Sequence, residues 1–107
     1  MTELAFHVLL ALGAAPAHGY AIGKDVEERS GGRLDPTTGA LYQVLRRLTD
    51  DGWIEAAAAP AGADVDARRK YFRLTPAGRE AAAAEIERLE ALVATGRKRR
   101  LHRAGLR

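Results

Sequence analysis

The segment Thr37-Thr38-Gly39-Ala40-Leu41-Tyr42-Gln43-Val44-Leu45-Arg46-Arg47-Leu48 carries two sets of side chains at helical spacing. Leu41, Val44, Leu45 and Leu48 recur at the steps that bury one side of a helix, which leaves Thr38, Tyr42, Gln43, Arg46 and Arg47 on or near the other. That polar set suits a nucleic-acid groove. Arg binds phosphate or a guanine edge, Gln pairs with adenine, and Thr and Tyr hydroxyls reach phosphate oxygens. An ordinary amphipathic helix with a solvated basic side has the same pattern, so the neighbouring segments must decide.

Catalytic chemistry finds little support along the chain. His7, His18 and His102 are far apart, no Ser or Thr stands in a nucleophile-elbow pattern, and no Gly-rich phosphate loop follows a strand. His7 and His18 read as structural residues, and the expectation is a non-enzyme without metal or cofactor. The absence of cysteine removes disulfides and thiolate metal sites and makes a reducing cytoplasm the expected compartment. The run from Leu4 to Leu12 before Ala15-Pro16-Ala17 superficially resembles a signal peptide. Glu3 in place of a positive flank and His7 within the run argue instead for a helix that the core needs. No apolar stretch is long enough to span a bilayer, so a membrane is not an expected partner.

At 107 residues and 47% apolar, the chain can build one small domain with a thin core, the kind that gains stability by dimerising. Its formal charge of +3 is unevenly spread. Arg97, Lys98, Arg99, Arg100, Arg103 and Arg107 follow Gly96 with no acid among them, so the body before them is slightly acidic. Total charge is therefore a weak argument for nucleic acid. The local clusters count for more: Arg46 with Arg47, then Arg68-Arg69-Lys70 with Arg73 close behind.

The elements that must position these residues follow in order. A first helix is predicted from about Glu3 to Leu12, with Thr2 as N-cap and Gly13 as its end. A second begins near Gly19 and stops at Ser30-Gly31-Gly32, where glycine can close a helix in the left-handed conformation. Asp35 as cap and Pro36 in the first turn start the third, which ends before Gly52. Trp53-Ile54-Glu55-Ala56 then reads as a short strand, Pro60 to Ala67 as a polar loop, and Arg69 to Leu74 as a second strand with Phe72 and Leu74 on one face. Two strands joined by a loop after three helices make a wing. Thr75-Pro76 opens a last helix in which Ala82, Ile86, Leu89 and Val93 form the narrow stripe of helix-to-helix packing. Beyond Gly96 the apolar period is lost, and the basic tail is expected to be frayed.

Three segments in this order resemble the PadR family of winged-helix transcriptional regulators: His18-Gly19-Tyr20-Ala21-Ile22, then Gly39-Ala40-Leu41-Tyr42 through Leu45, Leu48 and Asp51-Gly52-Trp53-Ile54, then Arg69-Lys70-Tyr71-Phe72-Arg73-Leu74-Thr75-Pro76-Ala77-Gly78-Arg79. The resemblance extends to about Ala94. Ala40 departs from it where the family usually has a small hydroxyl residue, and Trp53 where it usually has an aliphatic one. It implies a regulator that binds double-stranded DNA as a homodimer and is often relieved by a small apolar or phenolic effector, with Trp53 and the apolar side of the last helix as candidate contacts.

The expected architecture is mainly α with a small β component: a winged helix-turn-helix over residues 1–75, a C-terminal dimerisation helix over 76–96 and a basic tail over 97–107. The DNA-binding residues would be Tyr20, Thr37, Thr38, Tyr42, Gln43, Arg46, Arg68, Arg69 and Lys70. Helix three would enter the major groove by its N-terminal half, Tyr20 would touch phosphate, and Arg68, Arg69 and Lys70 would follow the neighbouring groove. Ile86, Leu89 and Val93 would join two copies, which places the two recognition helices roughly one DNA turn apart on a palindromic operator. The expected function is ligand- or stress-responsive repression; a protein-interaction or RNA-binding winged helix is the alternative.

Overall fold

The computed structural model describes residues 1–62 and 69–103. Its elements run α1 (Glu3–Ala14), β1 (Ala17–His18), α2 (Gly19–Arg29), α3 (Thr38–Asp50), β2 (Ile54–Ala57), β3 (Tyr71–Leu74) and α4 (Pro76–Lys98). The strands form one antiparallel sheet in the order β1-β3-β2, with Ala17 opposite Phe72, His18 opposite Tyr71, and Ile54 opposite Leu74. This is a winged helix-turn-helix: α2 and α3 are the helix-turn-helix, and β2 and β3 form the wing.

The core draws one or more side chains from nearly every element. Val8, Leu9 and Leu12 of α1 meet Ile22 and Val26 of α2, Leu41, Leu45 and Leu48 of α3, Ile54 of β2 and Phe72 of β3. Fully burying each of the larger side chains contributes about 1.5–3 kcal/mol, and a domain this small needs most of them. Outside the core, Arg29 clamps α2 to α1. Its Nη2 donates to the His7 carbonyl at 2.8 Å, and its Nε donates to Asp25 at 2.8 Å.

Capping explains most of the helix boundaries. Thr2, Thr37 and Thr75 each accept a bond from the backbone N–H three residues on. The helix-three start thus lies at Thr37 rather than Asp35: Pro36 keeps residue 35 out of the helix, and Thr37 is the hydroxyl in register with Ala40. At the other ends, Gly31 and Gly52 take positive φ, and the following N–H groups return to the last turn, Gly32 to Glu27 at 2.8 Å and Trp53 to Leu48 at 3.0 Å. Two further boundaries differ from expectation. Helix α1 passes through Gly13 to Ala14, and α4 passes through Gly96 to Lys98. Gly96 stays helical, and the turn closes instead on Arg100, at φ 59°, with the Leu101 N–H returning to the Gly96 carbonyl at 2.9 Å. Arg97 and Lys98 therefore belong to the helix and not to the tail.

The start of α4 is welded to the turn after α3. Thr75 Oγ1 accepts from the Gly78 N–H at 3.0 Å and donates to the Gly52 carbonyl at 2.6 Å, while the Thr75 N–H reaches the Trp53 carbonyl at 3.1 Å. Gly78 is buried against that same carbonyl, and a Cβ there would lie 1.9 Å from the Trp53 oxygen. Because the obstacle is backbone on both sides, Gly78→Ala is expected to cost at least about 2 kcal/mol, the scale of an overpacked core. Urea unfolding checks this; a variant within about 0.5 kcal/mol of the parent, the scatter of neutral surface changes, would show that the weld can open freely.

Candidate nucleic-acid interface

Burial of Leu41, Leu45 and Leu48 turns the opposite side of α3 to solvent. Thr38, Gly39, Tyr42, Gln43, Arg46 and Arg47 are all exposed there, and Ala40 is half-buried on the flank. Thr37 stands exposed at the helix start, where its hydroxyl oxygen accepts from the Ala40 N–H at 3.1 Å and keeps its O–H to donate.

Between the N-terminal half of α3 and α2 lies an open groove of about 250 Å³, lined by Tyr20, Gly23, Lys24, Thr38, Leu41 and Tyr42. Tyr20 is 67% exposed and Tyr42 43%, so neither is a core tyrosine. Lys24 was not among the expected residues: it lies one helical turn after Tyr20, and only the packing of α2 against α3 shows that it faces the same groove as Thr38. Tyr42 owes its position to Gly19, where a Cβ would come within 2.6 Å of the tyrosine hydroxyl oxygen and 2.9 Å of Cζ.

The wing joins this face through His18. That residue is the N-cap of α2, its Nδ1 lying 3.2 Å from the Ala21 N–H, and its Nε2 is 2.8 Å from Arg69 Nη1. The ring stacks with Tyr20 at 6.4 Å between centroids and meets Tyr71 edge-on at 5.2 Å. Burial first, and then the positive charge of Arg69, hold the His18 pKa below the ordinary histidine value. Strand β1, which brings His18 opposite Tyr71, was not visible in the sequence, since a two-residue strand has no period to detect.

Arg69 thus stands with Tyr20, Lys24, Thr38 and Tyr42 on one side of the molecule. Lys70, also exposed, holds its Nζ 5.8 Å from the centroid of Phe72. Arg73, on the Arg69 side, is engaged by Glu55 at 2.7 Å. Arg68 lies outside the described residues. Gln43 and Arg47 border a second groove of about 650 Å³ with Met1, Val44, Asp51 and Trp53. Arg46 projects from the middle of α3 between the two grooves.

The sequence model of the transcriptional regulator PadR-like family matches residues 8–84. The chain belongs to that family. Residues matched by this PadR-like description include α2, α3, the wing and the first turns of α4. The chain is similar to a 37.1 kDa protein in transposon TN4556 of Streptomyces fradiae, with 45% identity over 73 residues, which are 68% of this chain and 19% of that protein. It therefore spans about a fifth of that relative's length. Its fold is similar to a PadR family transcription regulator from Clostridium difficile, with TM-score 0.75, 18% identity and coverage of 91% of this chain and 97% of the other. Bacillus subtilis PadR in complex with operator DNA gives TM-score 0.65 and 24% identity, covering 79% of this chain and 47% of that one. Among the described residues no His, Cys, Asp and Glu cluster could hold a metal ion, and no helix is long and apolar enough to cross a membrane.

In this PadR-like chain the contact between Gly19 and Tyr42 is a test of how the groove is built. Gly19→Ala is expected to push the Tyr42 ring aside, because a side chain yields more readily than the α2 backbone. The melting temperature should fall by only a few degrees, corresponding to about 1 kcal/mol or less, while the Tyr42 ring resonances shift. Unchanged Tyr42 resonances would mean that the ring does not rest on Gly19.

Proposed function

We propose that this PadR-family regulator binds double-stranded DNA as a homodimer, with α3 in the major groove and the wing base beside it, and that it represses transcription from a palindromic operator. The observation that carries the reading is the convergence of Tyr20, Lys24, Thr38, Tyr42 and Arg69 from three separate segments onto one exposed side around α3. Residues of this kind on one surface supply phosphate contacts, and Gln43 and Arg46 on the same helix supply the groups that read base edges. Complex formation with operator DNA by the Bacillus subtilis PadR supports the same use of the fold.

In this reading residues 1–75 make the DNA-binding unit and α4 makes the dimer. Past Ala82, α4 runs outside the core beside α1; Leu89 is half-buried there, but Ile86 is 43%, Leu92 57% and Val93 54% exposed in the single chain. With Leu89 and with Phe6 of α1, Ile86 and Val93 line a shallow apolar groove of about 400 Å³. A surface of this type is what a second copy covers. The groove beside Trp53 has the aromatic and aliphatic lining that a small apolar effector needs, and Arg47 and Asp51 at its rim would orient a phenolic or acidic group. Such an effector would touch α3 itself. Beyond Lys98, Arg99, Arg100 and Arg103 would serve as a weak electrostatic tether to phosphates, and Arg107 lies outside the described residues.

Two measurements test this. Selection from a duplex library, followed by binding of Thr38→Ala and Gln43→Ala, is expected to show altered base preference, with discrimination lost by about 1–3 kcal/mol at the affected position. Arg69→Ala should weaken all duplexes alike and flatten the salt dependence by about one unit. Salt-insensitive binding, or tighter binding to single-stranded RNA than to any duplex, would favour a protein-interaction or RNA-binding module.

The dimer is tested by sedimentation. Leu89→Glu puts a charge into the apolar strip and should yield a monomer that keeps its helical circular dichroism. A Leu89→Glu dimer as tight as the parent would move the interface off α4.

A further inference from the structure

His18 is asked to accept two hydrogen bonds with one lone pair. The Ala21 N–H faces Nδ1 at 3.2 Å and the Arg69 guanidinium faces Nε2 at 2.8 Å, and both are donors only. A neutral imidazole has one unprotonated ring nitrogen. The tautomer with the proton on Nε2 keeps the α2 cap but turns an N–H against Arg69, whereas the tautomer with the proton on Nδ1 holds Arg69 but turns an N–H against Ala21. An imidazolium satisfies neither. Turning the ring over does not resolve this, since it sets carbon atoms against both donors.

An anion at this point removes the conflict. Arg69 can donate to it, the Nε2–H can donate to it, and Nδ1 is then left as a pure acceptor for the Ala21 N–H. We propose that His18 is a positioning residue for DNA: it seats Arg69 beside Tyr20 in the free protein and releases it to a backbone phosphate on binding, its own Nε2–H then donating to that phosphate. The inference rests on the DNA-binding reading above and adds to it the residue that sets the approach of the wing. It also accounts for a histidine in the cap position, where Ser, Thr, Asp or Asn would serve the helix equally well.

The arrangement makes binding depend on pH, and the sign follows from linkage. Among the described residues, the titratable and charged groups facing the ring are Tyr20 on its own helix, Tyr71 on β3 and Arg69 before β3. In the free protein, burial and then Arg69 disfavour the charged ring. A phosphate beside Nε2 opposes Arg69 and favours the charged ring, so the pKa is higher in the complex than in the free protein. A ligand that raises the pKa of a group binds more tightly when the group is protonated. Affinity must therefore rise as pH falls from above the pKa of the complex to below that of the free protein. Charging the ring costs the Arg69 contact in the free protein and the Ala21 contact in the complex; both oppose protonation, and only in the complex does a phosphate offset the loss.

The test uses the full chain, a fluorescent duplex of about 20–30 base pairs of random sequence at low salt, and His18→Asn. Asn caps α2, does not titrate, and is too short to reach the phosphate or Arg69. The parent should bind about fivefold more tightly at about pH 5.5 than at about pH 8, beyond whatever change His18→Asn retains through His7 and His102. Nitrogen-15 spectra of the parent should show the His18 proton moving to Nε2, and its titration moving upward, when the duplex is added. Should His18→Asn disturb the fold, those spectra decide alone.

A His18 signal that ignores the duplex, or parent and His18→Asn with the same pH profile, would overturn the proposal while leaving DNA binding intact. Parent protein that binds no duplex at any pH overturns the DNA reading and this inference with it. If millimolar inorganic phosphate alone reproduces the full His18 change, the residue is a general anion contact and not a positioning residue for DNA.

Discussion

Burial of one side of α3 is the constraint on which the rest of the structure depends. Leu41, Leu45 and Leu48 are sunk into side chains from α1, α2, β2 and β3, so that the helix is gripped along its length from behind. In a chain of 107 residues there is no spare core to hold it in another way. The order of the neighbouring elements follows from this. Helix α2 must cross near the start of α3 to bring Ile22 and Val26 inward, and the chain must reverse at Gly52 so that Ile54 can cover the far end. What remains open is the side that carries Thr38, Tyr42, Gln43 and Arg46.

Much of this was legible in the residues. The apolar step through Leu41, Leu45 and Leu48, the glycines at 31 and 52, and Thr75 before Pro76 each act locally, and each stands where local rules put it. The parts that were not legible depend on contacts made across the chain. Strand β1 exists because Ala17 and His18 find Phe72 and Tyr71, more than fifty residues on. Asp35 and Thr37 are both good caps, and only the register that buries Leu41 selects the second. Arg69 and Lys70 look alike as a basic pair, yet one meets His18 and the other Phe72. Gly96 looks like a stop, but a glycine in the last turn is tolerated at a cost of about 1 kcal/mol, and the capping turn formed instead around Arg100.

The distribution of charge is consistent with this division of labour. The body before the tail is slightly acidic, and acids such as Asp25, Glu55 and Glu85 engage Arg29, Arg73 and Arg88. Ion pairs near a surface such as these contribute little to stability. Low identity to the Clostridium difficile regulator, 18%, alongside a TM-score of 0.75, fits a fold held by where apolar residues fall and not by which ones they are.

The weld between Thr75, Gly78 and the Gly52–Trp53 backbone has a mechanical consequence. Helix α4 has 23 residues and so measures about 35 Å; its first turns are fastened to the domain through backbone, and beyond them it lies against α1 alone. It is a lever with a fixed pivot. A tilt of about 10° at the pivot would carry the free end sideways by about 6 Å, close to one helical turn. In a dimer assembled along α4, that motion is transmitted to the separation of the two α3 helices. The pivot lies beside Trp53, so a ligand that wedges against this side chain would need only a small displacement there to spoil the match to successive turns of DNA.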